Sequence, residues 1–330
     1  MVRSKGRVAR CTAVAAAAAA LVLVAAGCAG GDEAAGGEAG TQTVNLVLAS
    51  SAVNFLPVYV AEDKGFFAQC GIDVEETTTK GGADAVRAAA AGDADVIGTL
   101  PEEPIAAIAQ GARMKIIGAT NNQNVYRLYV TDDINSVADF AGQRVGMLSQ
   151  GNGTDIQLQW LLDNQGQGVA NTQLVAAGGN AERLAAVKTG QVKGTLLSQP
   201  TDVQAEQEGL KHLLDMRDVI PAYNHEVLTA TQSAIDDKPE ALDCFMRSVG
   251  QAVGWIGQNP QEAVQIAAAR TEIAPDVAQQ AFDFQKDTYP EGGAADPAGL
   301  QWTLDALAEY GHMEGDPLTL EDVYDPQFTG

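Results

Sequence analysis

The chain has 330 residues, of which 46% are hydrophobic and 19% are charged, a composition that can bury a large core and excludes a mostly disordered protein. It carries 43 acidic and 20 basic side chains, for a net charge of -23, which disfavours nucleic acid and anionic membrane surfaces as partners. Three His and four Cys leave little material for a metal site, and we expect no metal and no cofactor.

The first residues have the layout of a secretory signal. Basic residues precede an alanine-rich apolar stretch over 13–26, and small residues stand before Cys28. A transmembrane anchor is the alternative, but the stretch is short and weakly apolar compared with the roughly 20 residues that a span needs. Small residues followed by Cys resemble the lipobox of bacterial lipoproteins. That resemblance implies removal of 1–27, a lipid on Cys28, and a flexible tether over 28–42.

From residue 43 onward, β-rich runs alternate with helical patterns. The predicted strands are 44–49, 71–75, 95–99, 114–119, 126–130, 144–148, 174–175, 194–198, 212–215 and 226–231. The predicted helices are 56–67, 81–91, 101–110, 154–164, 181–188, 201–208, 239–258, 261–270, 275–287 and 297–310. This order predicts an α/β fold whose mostly parallel sheets are covered by helices on both faces.

Short segments along the chain occur in the order and spacing of a known family. They are NFLP at 54–57, AEDKGFF at 61–67, GIDV at 71–74, AGDAD at 91–95, VADFAGQRVG at 137–146, GNGT at 151–154, GQVKG at 190–194 and WIGQNPQEA at 255–263. Over residues 43–311 the chain resembles the periplasmic solute-binding proteins of ABC importers for nitrate, sulfonates, taurine and thiamine-pyrimidine precursors.

The resemblance implies a bilobal periplasmic-binding-protein fold, similar to type II, with a ligand cleft between two lobes. Lobe one would hold 43–121 plus 227–330, and lobe two would hold 122–226. It also implies a binding protein rather than an enzyme, one that captures a small polar or monoanionic organic solute by lobe closure. The partners would be that solute and an ABC permease with a separate ATPase. We expect an exported monomer, held by its lipid at the outer face of the cell membrane or in the periplasm.

Two cysteines remain in the body of an exported chain. Cys70 and Cys244 would meet an oxidising compartment, so they either form a disulfide or remain as two buried free thiols. The resemblance places both in lobe one, which favours their pairing.

Neutral polar residues follow the predicted strands. In open α/β sheets, ligands bind beyond the carboxyl ends of the strands. We therefore expect ligand contacts from Asn54, Phe55, Thr99, Asn121, Gly151, Asn152, Gly153, Thr154, Ser198 and Gln199. A lining nearly free of charge suits an uncharged heterocycle or a monovalent anion better than a highly charged anion.

Most of these residues have a structural alternative. The turn at 149–154 follows a strand and opens a helix, so its backbone can approach a ligand, or its Asn and Thr can cap the helix. Asn54 and Thr99 can also be caps, and Phe55 can be a core residue. Glu102 most simply favours a helix N-terminus, and the alternative is a pair with an amine on the ligand.

Common catalytic motifs are missing from the sequence, which has no G-x-S-x-G elbow, no H-E-x-x-H and no C-x-x-C pair. The alternative function is a secreted or sensory enzyme on the same scaffold, similar to a pyrimidine-precursor synthase. Turnover of a bound solute would distinguish that enzyme from a binding protein.

Overall fold

The computed structural model describes residues 41–166, 168–310, 313 and 317–329. The expected signal, the lipid-bearing Cys28 and nearly all of the expected tether lie outside these residues. The described residues form the strands β1 Gln42–Leu48, β2 Ile72–Thr78, β3 Val96–Thr99, β4 Met114–Asn121, β5 Arg127–Val130, β6 Arg144–Met147, β7 Gln173–Ala176, β8 Gly194–Leu197, β9 Lys211–Asp215 and β10 Glu226–Thr231.

Helices connect and cover these strands. They are α1 Leu56–Asp63, α2 Phe66–Cys70, α3 Gly82–Ala91, α4 Glu102–Ala109, α5 Gly153–Gln165, α6 Asn180–Lys188, α7 Thr201–Gln207, α8 Met216–Val219, α9 Gln232–Asp237, α10 Pro239–Gln258, α11 Pro260–Thr271, α12 Pro275–Gln285, α13 Pro297–Glu309 and α14 Leu320–Val323. Short 3-10 helices lie at Val53–Phe55, Val137–Phe140, Val169–Asn171, Glu291–Gly293 and Pro326–Phe328.

Two five-stranded sheets organise the fold. The first has the strand order β2-β1-β3-β10-β4, and the second has the order β7-β6-β8-β5-β9. In the first sheet β10 is antiparallel to both neighbours, and in the second sheet β5 is. The other pairs are parallel, so both sheets are mixed and only one strand in each runs against the rest. This arrangement confirms the predicted α/β class, in which most strands of a sheet run in the same direction.

The antiparallel strands follow the two places where the chain passes from one sheet to the other. The chain leaves the first sheet after β4 and enters the second through β5, then leaves after β9 and returns through β10. An antiparallel strand has its amino end at the edge where its parallel neighbours have their carboxyl ends. The first residue of β10, Glu226, therefore pairs with Asn121, the last residue of β4.

Burial explains the composition of the central strands. All four residues of β3 are buried, as are all four of β8, because helices cover both faces of each sheet. The long helix α10 presents an apolar face that includes Phe245 and Met246 to the core beneath the first sheet. The prediction of one continuous helix over 56–67 is wrong. Gly65 adopts a left-handed conformation with φ 68° and separates α1 from α2.

A disulfide joins two elements on the first-sheet side. Cys70 ends α2 and Cys244 lies in α10, and their Sγ atoms are 2.03 Å apart with the Cα atoms at 5.7 Å. Next to it the rings of Phe67 and Phe245 stack with centroids 5.2 Å apart. Of the two alternatives that the sequence allows, a disulfide or two free thiols, the structure has the disulfide.

Among the described residues, no helix combines the length and the apolar character required to cross a bilayer.

Candidate functional site

A cavity of about 390 Å³ lies where elements of both sheets meet. Its volume is in the range of small-molecule sites. The residues that line it include Ala49, Ser50, Ser51, Ala52, Asn54, Lys80, Gly81, Gly82, Leu100, Glu103, Tyr126 and Leu148, and also Asn152, Gly179, Asn180, Ala181, Glu182, Arg183, Ser198, Gln199, Pro200, Thr201 and Glu226. The loops after β1, β3, β6 and β8 thus meet here, as expected for the carboxyl ends of parallel strands.

Glu226 forms part of the wall on the first-sheet side. Its Oε1 accepts a hydrogen bond of 3.3 Å from Asn54 Nδ2. Its Oε2 is buried and has no hydrogen-bond partner among the described residues. Removal from water, with a smaller contribution from the neighbouring carboxyl of Glu102, raises the pKa of Glu226 to about 8.

A second carboxyl, that of Glu103 in the first turn of α4, lines the same cavity. Its Oε1 accepts a hydrogen bond from Asn152 Nδ2, while its Oε2 is buried and lacks a partner within the described chain. Burial, and then the adjacent Glu102, raise the pKa of Glu103 well above its usual range. Gly82 permits this arrangement, because a Cβ there would lie 2.8 Å from the Glu103 carboxyl carbon.

The opposite wall carries a buried cation. The guanidinium of Arg183 donates from Nε to Leu196 O at 3.1 Å and from Nη1 to Gly178 O at 2.8 Å. Its Nη2 donates to Asn180 Oδ1 at 2.6 Å, and Asn180 Nδ2 donates to Ser198 Oγ at 3.0 Å. All three guanidinium nitrogens therefore donate to protein oxygens. These hydrogen bonds orient α6 against β8.

One aromatic ring lines the cavity within the described residues. Tyr126 is buried and meets His225 edge to face with centroids 4.6 Å apart. Its ring offers a flat apolar surface against which a planar solute can pack.

The structure places the predicted site residues in three groups. Asn54, Asn152, Ser198 and Gln199 line the cavity. Gly151 lines an adjoining cavity of about 260 Å³ that shares Lys80, Glu103 and Asn152 with the first. Outside both linings are Phe55, Thr99, Asn121, Gly153 and Thr154.

Each residue of the third group has a structural contact. Phe55 is fully buried in the core of the first sheet. Thr99 Oγ1 donates to Leu100 O, and Asn121 Nδ2 donates to Thr288 Oγ1 at 2.8 Å. Thr154 Oγ1 accepts from Leu148 N at 2.9 Å, which ties the start of α5 to the end of β6. Gly153 is buried so closely that a Cβ would lie 2.7 Å from Glu102 Oε2.

The expectation of a lining nearly free of charge is wrong. Glu103 and Arg183 enter the cavity from helices, and Glu226 enters from the amino end of an antiparallel strand. A search restricted to carboxyl ends of strands passes over all three. The acidic side chain from α4 that reaches the cavity is Glu103, whereas Glu102 accepts hydrogen bonds from Tyr223 Oη at 2.9 and 3.0 Å behind it.

The charges of the site have an unequal distribution. The two carboxyl groups on the first-sheet side each have one buried oxygen without a partner in the described chain, and the cation on the second-sheet side is already bonded to protein oxygens. Lys80 and Glu182 also line the cavity, but both side chains are exposed. No group of three or more His, Cys, Asp or Glu within the described ranges is placed to hold a metal ion.

A family model described as NMT1/THI5 like matches residues 52–263, which is more than half of the chain. The chain belongs to the NMT1/THI5-like family. A formylaminopyrimidine-binding protein from Halalkalibacterium halodurans is 22% identical over 296 residues, which cover 81% of this chain and 84% of that protein.

Two solved structures share the fold. One is the ligand-binding component of an ABC-type import system from Staphylococcus aureus, with a TM-score of 0.74, 16% identity, and coverage of 88% of this chain and 98% of that chain. The other is the alkanesulfonate-binding protein SsuA from Xanthomonas axonopodis pv. citri bound to MOPS. It has a TM-score of 0.73, 16% identity, and coverage of 87% and 99% of the two chains.

Proposed function

We propose that the protein is the solute-binding component of an ABC-type importer. Lobe one, built on the first sheet, consists of 43–121 plus 226–330, and lobe two, built on the second sheet, consists of 122–225. The second boundary lies one residue before the one expected from the sequence, because Glu226 begins β10 of the first sheet. Three kinds of observation support this proposal: a cavity lined from both sheets, membership of the family, and relatives described as binding proteins. A lipid on Cys28 holds the exported protein at the membrane, and the solute then passes to a permease.

The solute in this proposal is a small nitrogen heterocycle that carries an amino group, in the class of the aminopyrimidines. The observation that carries this choice is the pair of buried carboxyl oxygens, Glu226 Oε2 and Glu103 Oε2, that have no partner among the described residues. Buried polar groups without partners cost stability, and ligand donors would satisfy them. The relative from Halalkalibacterium halodurans is named for a ligand of this class.

The protonation behaviour of these carboxyls fits the same class. With its pKa near 8, Glu226 exchanges between the neutral and the charged form close to physiological pH. A neutral carboxyl offers one donor and one acceptor, which match the adjacent ring nitrogen and amino group of an aminopyrimidine. A charged carboxylate matches the protonated ring instead. A sulfonate group or a nitrate carries acceptors and no donors, so it would leave the acceptor oxygens of these two carboxyls without a hydrogen bond.

Binding requires no chemical change of the solute. A solute that contacts both walls is bound more tightly when the lobes are together, so occupancy shifts the population toward the closed arrangement. Tyr126 supplies a packing surface for the ring, while Asn152 and Ser198 supply polar contacts from lobe two. The protein acts as a carrier rather than as an enzyme.

The test is isothermal titration of the mature chain, with Cys28→Ser to remove the lipid. The probes are 4-amino-5-hydroxymethyl-2-methylpyrimidine, its 4-oxo counterpart, taurine and nitrate. We expect the aminopyrimidine to bind and the 4-oxo compound to bind at least about tenfold more weakly, because one lost charge-assisted hydrogen bond is worth 1.4 kcal/mol or more.

The matched variants are Glu226→Gln and, as a control, Glu75→Gln on the exposed face of edge strand β2. Both substitutions replace a carboxyl by an amide, but only the first alters the cavity. We expect Glu226→Gln to lower the affinity for the aminopyrimidine and Glu75→Gln to leave that affinity unchanged. Tight binding of taurine or nitrate, with no heat from the aminopyrimidine, would contradict the proposed solute class.

A further inference from the structure

A chain of buried side chains passes behind the cavity from one sheet to the other. Gln285, the last residue of α12, has no exposed surface and does not line the cavity. Its Nε2 donates to Asn54 Oδ1 at 2.9 Å and to Gln199 Oε1 at 2.9 Å. Asn54 precedes α1 on the first-sheet side, and Gln199 follows β8 of the second sheet.

The chain continues beyond both amides to carboxyl groups. Asn54 Nδ2 donates to Glu226 Oε1 at 3.3 Å, and Gln199 Nε2 donates to Asp202 Oδ2 at 2.7 Å. All five side chains are buried, with exposed fractions between 0 and 5%. Three of them, Asn54, Gln199 and Glu226, line the cavity.

The direction of these hydrogen bonds is fixed at Gln285. Because its amide nitrogen donates to both neighbours, the carbonyl oxygens of Asn54 and Gln199 must face it. Their own amide nitrogens then face Glu226 and Asp202, both of which can accept. An acceptor in place of the Gln285 nitrogen would require both amides to rotate, and their oxygens would then face carboxyl oxygens.

We propose that Gln285 is the positioning residue that couples occupancy of the cavity to the joining of the two lobes. This inference rests on the proposed function as far as the solute is concerned. A solute that bonds to Glu226 holds the carboxyl in the orientation that accepts from Asn54. That orientation keeps Asn54 Oδ1 toward Gln285, which in turn holds Gln199 of the other lobe.

The position of α12 supports a role at the junction. Asn121 Nδ2 donates to Thr288 Oγ1 at 2.8 Å and lies 3.5 Å from Gln285 Oε1. Asn122 N also donates to Thr288 O at 2.9 Å. The end of α12 is thus bound to the segment where the chain leaves the first sheet, while Gln285 reaches the second sheet.

Two substitutions test the proposal, Gln285→Glu and Gln285→Met. The first reverses the hydrogen-bond polarity at nearly constant shape, and the second removes the bridge with an apolar side chain of similar length. The controls are Gln280→Glu and Gln280→Met, exposed on the same helix. Circular dichroism and thermal melting establish which variants fold, and Gln285→Met carries the test if Gln285→Glu does not fold.

The first measurement is small-angle X-ray scattering of the mature Cys28→Ser chain without solute. We expect a larger radius of gyration for both Gln285 variants than for the parent and the Gln280 controls. The second is stopped-flow dissociation of 4-amino-5-hydroxymethyl-2-methylpyrimidine, where we expect dissociation about tenfold faster or more, within the usual range of coupling between sites.

The outcomes separate the inference from the proposed function. An unchanged radius of gyration in both Gln285 variants overturns the inference, whatever the solute. Absence of aminopyrimidine binding by the parent chain refutes the proposed solute class, while the scattering still decides whether Gln285 joins the lobes. Dissociation at the parent rate from a variant with an expanded radius would also overturn the coupling, because closure would then be independent of occupancy.

Discussion

At the scale of single residues, Glu226 links the cavity to the pH dependence of stability. Its pKa is raised to about 8 by burial, so the folded protein holds this proton more tightly than the unfolded chain does. Stability contributed in this way is present at low pH and is lost as pH rises from about 4.5 toward 8. Glu102, with a pKa raised to about 7, acts in the same direction.

His225, next in the chain, acts in the opposite direction. Burial lowers the pKa of His225 to about 3, so the folded protein does not take up the proton that the unfolded chain binds below its usual pKa of 6.5. Acidification below that value therefore lowers stability through His225. Above pH 6.5 the effect of His225 fades as the unfolded chain loses this proton, so the carboxyl groups dominate the change in stability up to pH 8.

We predict that the solute-free protein becomes less stable between pH 6.5 and 8, and that Glu226→Gln makes this decrease smaller. One extra proton held by the folded state corresponds to about 1.4 kcal/mol of unfolding free energy per pH unit, an upper bound for this residue. Urea unfolding at several pH values measures the slope. Glu75→Gln should keep the parent slope, and an equal reduction in both variants would contradict the assignment to the cavity.

Asn152 combines two roles that substitution can separate. Its Oδ1 accepts from Thr154 N at 2.9 Å as the N-cap of α5, and its Nδ2 donates directly to Glu103 Oε1. We predict that Asn152→Ala costs about 1 kcal/mol of stability through the lost cap and also weakens solute binding. Asn152→Ser keeps a hydroxyl acceptor for the cap but removes the amide donor, so stability should largely recover while binding remains weak. Full recovery of binding by Ser would exclude the contact with Glu103 as the relevant one.

Whether the sequence predicts that a residue lines the cavity depends on the element that carries the residue. Asn54, Asn152, Ser198 and Gln199 follow parallel strands, and the topology of such sheets brings them to one edge. Glu226 reaches that edge from an antiparallel strand, and strand direction is not readable from local pattern. The partnership of Gln285 with two of these residues spans more than 80 positions along the chain, so it has no local signal.

At the scale of elements, the disulfide fixes α2 to α10. The two cysteines are 174 positions apart, so the bond closes a very long loop in the unfolded chain. Loop closure of this kind stabilises a protein by about 2–5 kcal/mol. Cys70 and Cys244 do not line the cavity.

We predict that the double variant Cys70→Ser, Cys244→Ser unfolds at lower urea concentration by an amount in that range, while its affinity for the aminopyrimidine is unchanged. Each single variant serves as a control for the loss of the bond without the loss of both sulfurs. Equal stability of the parent under oxidising and reducing conditions would contradict the prediction.

The boundaries of helices were predictable where a proline marks the first helical position. Proline at the first helical position marks the starts of α10, α12 and α13 in both sequence and structure. The break between α1 and α2 was not foreseen, because the apolar pattern continues through Gly65 and the left-handed turn is visible in the backbone alone. The short helices α8, α9 and α14 have too few residues to show a helical period.

At the scale of the whole molecule, direct hydrogen bonds join the two proposed lobes. Asn152 and Gln199 of lobe two bond to Glu103 and Gln285 of lobe one, respectively. We predict that the aminopyrimidine reduces the radius of gyration of the mature Cys28→Ser chain, because the solute favours the joined lobes. Scattering with and without the probe measures this change, and taurine at equal concentration should leave the radius as it is.

We propose above that an amino-substituted heterocycle binds against Glu226 in the cavity between the sheets. The most direct measurement is a crystal structure of the mature Cys28→Ser chain grown with 4-amino-5-hydroxymethyl-2-methylpyrimidine. We predict that the ring packs on Tyr126, with its amino group or ring nitrogen at hydrogen-bond distance from the Glu226 carboxyl. A probe bound elsewhere, or a cavity that holds an anion while Glu226 makes no contact with the solute, would contradict it.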